Sequence, residues 1–439
     1  MKSTRLLLVS FFVFLRVRVE FLVTAGHPEL VAAIASEIAA SGPISFARFM
    51  ELALYHPRFG YYMRPPESGA ERIGWSGDFY TSSDVHPILG RALARQARQI
   101  DGLLGHPDPF TVVEMGPGKG LLARDVLEAI HSQPDSLSRR FRYVLIERSP
   151  AMRGLQHTNL LPWLKNPGLV TWVEDIGSLA PAGIVGLFFS NELPDAFPVH
   201  RIRIANGQAQ EIYVDWQQGR FVEQLKPLPD ELNRHLARLA RQNVSLPEGY
   251  QTEINLNAVR WMKQIADAIG RGVAITIDYG HTAQDLYSAD RSNGTLLCYY
   301  SQMTSEDPYT RVGQQDMTAH VDFSSLAAAG EGRDLHVTGF TNQMSFLMGL
   351  GVEEMMAELE PESPEFRAAI HLLRPDGMGS TFKVLIQHKG IERPALDGLK
   401  FKPFFGDALV PSRARDEGHA AMGPPLSTCR APLTSSLRA

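Results

Sequence analysis

The chain has 439 residues, 44% of them hydrophobic, enough to bury a sizeable core in one large domain or a few ordinary ones. Its formal net charge of -5 gives no global electrostatic ground for nucleic acid or an anionic membrane as the main partner, and neither is expected. Two cysteines, Cys298 and Cys429, exclude a disulfide framework and a cysteine zinc cluster and favour a reducing compartment.

Residues 1–26 are set aside as an extension of open role. Lys2 and Arg5 precede an apolar run over 6–15, and Arg16 and Arg18 follow it. That run is about half the ~20 residues of a membrane span, so no stable membrane insertion is expected. The flanking arginines and the lack of an A-x-A site argue against a secretory signal, while an organellar presequence and a segment outside the fold both stay open.

Residues 27–105 read as a helical cap with a lid loop. Leu30, Ile34 and Ile38 recur at helical spacing until Ser41-Gly42-Pro43, and a second helix through Phe46, Phe49, Met50 and Leu54 stops before Pro57. The stretch 65–77 is rich in Gly, Ser and Pro and reads as a loop; helical spacing returns at Leu89, Leu93 and Ile100.

From 106 to 390 short β-branched runs alternate with helical segments, the pattern of a mostly parallel sheet covered on both faces. Seven strands are predicted, at "TVVEM", "RYVLIE", "LVTWVED", "IVGLFFS", "VAITIDYG", "LHVTGF" and "FKVLIQH". Between the fourth and fifth, about 199–251, alternating segments around Ala205-Asn206-Gly207 predict an inserted β-hairpin, followed by a helix. An insertion after a strand end lies over the ligand face of an open α/β sheet. Residues 391–439 are expected to be irregular, and disordered from Gly406 on.

"VVEMGPGKG" follows the first strand. Its glycines let a ligand approach the backbone, and the next helix offers free N–H groups. Gly116, Gly118 and Gly120 run G-P-G-K-G, the wrong spacing for the dinucleotide fingerprint, which disfavours a nicotinamide dehydrogenase. Glu114, two residues ahead, would repel a diphosphate but suit a cationic ligand, so E-x-G-x-G-x-G points to S-adenosyl-L-methionine. Glu147 at the second strand's end is placed to bind ribose hydroxyls. Asp175 at the third is placed to take an adenine amino group, with Ile176 packing on the ring. Asn191, Glu192 and Asp195 follow the fourth strand beside the expected methyl donor. No metal ligands are expected.

"YHPRFGYY", "GDFYTSSDVHPILGRALA", "VVEMGPGKGLLARDVL", "SNELPDAFPVHR", "IDYGH", "GTLLCYY" and "TAHVDFSSL" together resemble the MidA family of methyltransferases. That group includes a mitochondrial complex I assembly factor that symmetrically dimethylates an arginine of a complex I subunit. The resemblance implies a Rossmann-like class I methyltransferase fold, α/β, with a seven-stranded sheet whose last strand is antiparallel. It also implies a protein substrate, a respiratory complex I subunit among the options, with the protein in the cytoplasm of a bacterium or the mitochondrial matrix of a eukaryote. Oligomeric state stays open, a homodimer included. Pro194 and Ser301-Gln302 depart from the family pattern near the acceptor site.

If the acceptor is arginine, its guanidinium arrives protonated and needs a carboxylate to take a proton as the N–C bond forms. Glu192 is the first candidate and Asp195 the second, with Asn191 orienting the acceptor or the methionine moiety. Asp278 and Tyr279 are expected along the channel. Asp78 and Tyr80 of "GDFYTS" are expected to fold across the cofactor as a lid. His320 reads as a structural histidine bonded near Asp322, with a proton relay as the other option; Trp75, His86 and His281 read as packing or surface residues. A small-molecule methyltransferase and a non-catalytic assembly factor that binds a client protein are the competing readings.

Overall fold

The computed structural model describes residues 26–65, 72–74 and 77–402. The expectations for residues 1–25, for Trp75 and for the tail from 403 on lie outside the described residues.

All seven predicted strands form, and they make one sheet: β1 (Phe110–Met115), β2 (Phe141–Ile146), β3 (Val170–Val173), β4 (Ile184–Asn191), β5 (Ile269–His281), β6 (His336–Asn342) and β7 (Phe382–Lys389). Their spatial order is β6-β7-β5-β4-β1-β2-β3. Strand β7 is antiparallel to both neighbours, and the other named pairs are parallel. A two-residue strand, Val321–Asp322, adds to the end of β5. The near-continuous apolar runs of β1, β2 and β4 are explained by burial on both faces. Helices Ile88–Leu103, Leu121–His131 and Gln343–Gly349 pack on one face, and helices Leu256–Ala268 and Phe323–Glu331 on the other.

One boundary differs from the sequence reading. Helix Ile88–Leu103 shares the core of β1 and β2, because its stripe of Leu89, Ala92, Leu93 and Ile100 is fully buried there; it is core rather than cap. Residues 391–402 are irregular apart from the short 3-10 turn Asp397–Leu399, as expected, yet they are packed: the Asp397 and Gly398 amides donate to Gln99 and Gln96, and Leu396 is buried.

Helices Pro28–Ser41 and Phe46–Tyr55 form the cap. They share a core with the insertion, whose strands His200–Ala205, Gln208–Gln217, Arg220–Pro227 and Gln251–Ile254 make a sheet joined by Ile44–Ser45 of the cap. Asn206 and Gly207 both take positive φ, the turn that a two-residue hairpin loop requires. An unanticipated three-stranded sheet, Leu297–Tyr300, Met303–Ser305 and Asp316–Thr318, completes this layer. Cap and insertions therefore stand together over the carboxyl ends of β1 to β5.

Candidate active site

A cleft of about 1070 Å³ opens at those strand ends. Parallel strands point the same way, so each β-to-helix turn contributes to one edge. Glu114, Gly116, Gly118, Glu147, Asp175, Asn191, Glu192 and Asp195 all line this cleft, as do Asp78, Tyr80, Tyr279 and His320.

The glycine loop is shaped by what a side chain would meet. A Cβ on Gly116 would fall 2.7 Å from Leu193 Cδ1, at a φ of 71°. At Gly118 it would meet nothing within 4 Å, so a side chain there would stand in open space. Gly120 is different: it lies away from the cleft wall, as the left-handed start of helix Leu121–His131, with Gln156 against it. Glu114 is 2% exposed and accepts the Tyr143 hydroxyl at 2.6 Å. Burial pushes its pKa up to about 8, against the pull of that hydrogen bond.

Gln156 couples the first two strand ends. Its Nε2 donates to Gly118 O at 2.7 Å and to Glu147 Oε2 at 3.0 Å, while Glu147 Oε1 accepts the Ser149 amide at 2.7 Å. Burial raises the Glu147 pKa as well. Asp175 is exposed at the cleft and accepts the Ser178 amide at 3.0 Å, capping a short 3-10 turn. Ile176 does not reach the cleft wall; it is buried among Val113, Ile146 and the helix Leu256–Ala268, because the turn that Asp175 caps rotates it into the core. The adenine-packing role expected for it has no support in this placement.

At the end of β4, Glu192 has a φ of 52°, a conformation that a residue with a Cβ seldom adopts and that the surrounding contacts hold in place. Its Oε1 accepts the Ser82 amide at 2.8 Å and Asn191 Nδ2 at 2.9 Å. It is half-buried, and desolvation pushes its pKa to about 8. Asp195 is 5% exposed; burial raises its pKa to about 6, opposed by the Tyr279 hydroxyl, which donates to Oδ2. Asn191 Oδ1 and Asp195 Oδ1 have no hydrogen-bond partner among the described residues. Asp278 is buried behind this wall, off the cleft, and accepts the Asp195 amide at 3.2 Å; burial and the Asp195 charge hold it well above the carboxylate range.

The lid segment is tied down at several points. Besides the bond to Glu192, Asp84 closes a capping box with Thr81 and forms an ion pair with Lys119 of the glycine loop. Tyr80 hydrogen-bonds His371 at 3.1 Å. Asp78 has both oxygens engaged: Oδ1 by the Ser301 amide at 2.7 Å and Oδ2 by the Tyr61 hydroxyl at 2.8 Å. It is a clasp between cap, lid and hairpin. His320 packs its ring against Tyr279 and His281, and no bond joins it to Asp322, which caps helix Phe323–Glu331 instead. Burial lowers the His320 pKa to about 4, so it is neutral there.

Sequence reasoning missed Asp316, Tyr55, Tyr62 and Tyr299, all on the cleft wall. For Tyr62 and Tyr299 the signal available was the repeated tyrosine in "FGYY" and "CYY", which lay in motifs quoted for resemblance.

The profile of the family described as "Putative S-adenosyl-L-methionine-dependent methyltransferase" matches residues 90–341. A crystal structure of a COG1565 superfamily member from Burkholderia thailandensis, bound to S-adenosyl-homocysteine, is 32% identical. It superposes with a TM-score of 0.75, over 85% of this chain and 95% of that one. The chain belongs to this methyltransferase family. Among curated relatives, the protein arginine methyltransferase NDUFAF7 homolog, mitochondrial, of Drosophila melanogaster is 28% identical over 402 residues, 85% of this chain and 88% of the relative. Protein arginine methyltransferase NDUFAF7, mitochondrial, of Danio rerio is 28% identical over 388 residues, 80% of this chain and 84% of the relative.

The protein is therefore an S-adenosyl-L-methionine-dependent methyltransferase, and the cleft of this family member fits that cofactor. A ligand bearing ammonium, sulfonium and hydroxyl groups needs acceptors, and the wall presents carboxylates and an unpartnered amide oxygen at Asn191. Beside Gly118 the cleft is open, with nothing within 4 Å of where a Cβ would stand.

Proposed function

We propose that the protein methylates arginine side chains of a protein substrate. The observation that carries this reading is the β4 end. Glu192 and Asp195 both line the cleft, and Asp195 Oδ1 and Asn191 Oδ1 are buried acceptors without a donor among the described residues. Such a surface suits a guanidinium, which carries five N–H donors and no acceptor. The printed names of the fly and fish relatives as protein arginine methyltransferases support it. Their mitochondrial designation supports a mitochondrial setting if the host is eukaryotic; a complex I subunit is the substrate class that the family resemblance implies.

When bound, S-adenosylmethionine supplies a methyl group on a cationic sulfur. Glu114 answers the ligand's ammonium and sulfonium charge over the bare backbone of Gly116 and Gly118, with Gly120 setting the turn. Glu147 and Asp175 hold the nucleoside. Glu192 takes the proton that the guanidinium nitrogen sheds on methylation, with Asp195 as the second carboxylate and Asn191 orienting the acceptor. A protonated Glu192 cannot do this. The arriving guanidinium favours its ionised form, because an opposite charge at close range lowers a carboxyl pKa. The lid residues Asp78 and Tyr80 bound the cleft and keep water from it.

The test is incubation with methyl-labelled S-adenosylmethionine and cell extract, followed by hydrolysis and amino-acid analysis. Label in methylarginine is the expected result. Label confined to low-mass products would favour the small-molecule reading, and absence of turnover, with cellular function surviving Glu114→Lys, would favour the non-catalytic assembly factor.

A further inference from the structure

The three-stranded sheet has an open edge at the cleft. Its spatial order is Met303–Ser305, Leu297–Tyr300, Asp316–Thr318, so Met303–Ser305 is paired on one side only. Tyr299 stands opposite both Thr304 and Asp316, so these three side chains share one face of the sheet, and all three line the cleft. Tyr300 and Met303 turn to the other face and are 38% and 60% exposed. Thr304 both lines the cleft and is exposed, which puts the edge at the rim.

Register decides which main-chain groups are left over. Ser301 and Gln302 form a two-residue hairpin loop with φ of 48° and 58°, so the flanking pair Tyr300–Met303 exchanges its hydrogen bonds across the hairpin. In an antiparallel ladder the next pair, Tyr299–Thr304, then does not, and the Thr304 N–H and C=O point outward. Neither group finds a hydrogen-bond partner among the described residues. Glu306, exposed and just past the strand, carries a carboxylate with no partner among the described residues. The loop itself is held at a cost, because positive φ at both positions favours Gly or Asn. Asp78 secures it: Oδ1 accepts the Ser301 amide at 2.7 Å, and the main-chain O accepts the Gln302 amide at 3.1 Å. The lid thereby fixes an unpaired edge beside the cleft.

Open edges invite another chain, and folded proteins usually cover or blunt them. One held open and continuous with a substrate cleft is a place for the substrate's own backbone to add. We propose that an extended segment of the protein substrate joins this edge as a fourth strand, bonded through its main chain to Thr304, with a lysine or arginine beside Glu306. The residue opposite Thr304 then turns its side chain to the cleft face, while its two neighbours lie beside Met303 and Ser305. Main-chain pairing tolerates many sequences but requires an extended segment, so a folded acceptor is refused. This rests on the reading of a protein substrate methylated on arginine.

The test compares full-length wild type with Thr304→Pro. Proline removes the outward N–H and sets its ring on the edge, while the bonds of the Tyr300–Met303 pair stay intact. With methyl-labelled S-adenosylmethionine and limiting extract protein as acceptor, the rate of arginine labelling is expected to fall at least about tenfold. Calorimetry should give S-adenosyl-homocysteine affinity within about twofold of wild type and, with that ligand bound, the same for N-butylguanidine, which has no main chain to pair. Glu306→Lys, at an exposed position, should slow protein labelling about threefold or more and decides the matter if Thr304→Pro does not fold. Wild type that labels protein arginine while Thr304→Pro, or in its place Glu306→Lys, labels at the same rate overturns this inference alone. So does a Thr304→Pro protein that loses N-butylguanidine as fully as it loses protein labelling, since the edge would then only support the cleft. Wild type that labels no protein arginine overturns the arginine reading itself.

Discussion

The two ends of the cleft are built in different ways. At β1 to β3 the wall comes from consecutive turns of one sheet. Glu114, the glycine loop and Glu147 lie within a few dozen residues, and Gln156 bonds the loop to Glu147 directly. At β4 and β5 the wall is assembled from the cap, the lid, the strand ends and the three-stranded sheet. Its hydrogen bonds join residues as far apart as Tyr62 and Asp316 or Tyr55 and Ala196. A donor shared across a family can be held by a local motif; on the proposed reading, acceptor recognition falls to the cap and insertions, which stand outside the sheet.

If that division is real, each end can be damaged without the other. The largest effect is expected from Glu114→Lys, which puts an ammonium where the fold buries a carboxyl bonded to Tyr143. Affinity for S-adenosylmethionine should fall by about 100-fold or more in calorimetry, since both the ion pair and its hydrogen bonds are lost. Next is Glu192→Gln, which keeps the bonds to Ser82 and Asn191 within reach of an amide but cannot take a proton. Its kcat should drop on the order of 100-fold or more, as for loss of a general base, with donor affinity nearly unchanged. Equal loss of donor binding in both variants would dissolve the distinction between the two ends.

The same division governs what the sequence disclosed. Seven strands were legible because β-branched runs alternate with helical stripes, and Glu114 was legible because the carboxylate and the glycines sit within seven positions. The strand tips followed from topology, since a parallel sheet brings them to one edge. Ile176 misled because a neighbour in sequence was taken for a neighbour on the surface, while the turn capped by Asp175 sends it inward. Helix Ile88–Leu103 misled because its periodicity shows that one face is buried but not against what. Asp316 and the tyrosines could not be grouped at all: the packing of the cap against the three-stranded sheet brings them together.

Proton linkage sharpens the comparison further. A carboxyl raised to about 8 in the folded protein keeps its proton at a pH where the unfolded chain, with Glu near ~4.3, has shed it. The folded state then binds more protons than the unfolded one. Stability of the free protein should therefore fall as pH rises between those two values and level off above the higher. On the proposed reading a cationic donor favours the ionised form of Glu114, so binding at pH 7 should release close to one proton from it, roughly the protonated fraction at that pH. Calorimetry in buffers of differing ionisation enthalpy measures the number directly. By pH 9 the release from Glu114 should have nearly vanished, and in Glu114→Gln it should be absent at both values.

Asp78 offers the smallest and most discriminating change. Sequence placed it against the cofactor; the structure has its two oxygens held by Tyr61 of the cap and Ser301 of the hairpin, so it also ties these segments together. Asp78→Asn retains one acceptor oxygen and loses the other, so one of the two clasps must loosen. The hairpin carrying Tyr299 would then sit less firmly against the lid, while the glycine loop, held through Gln156 and through Lys119 with Asp84, would not move. A neutral hydrogen bond is worth on the order of 1 kcal/mol, about a fivefold change in an equilibrium. Acceptor KM should accordingly rise about threefold to fivefold, with donor affinity unaltered. A matching loss at the donor would return Asp78 to the cofactor and show that the lid belongs to both ends.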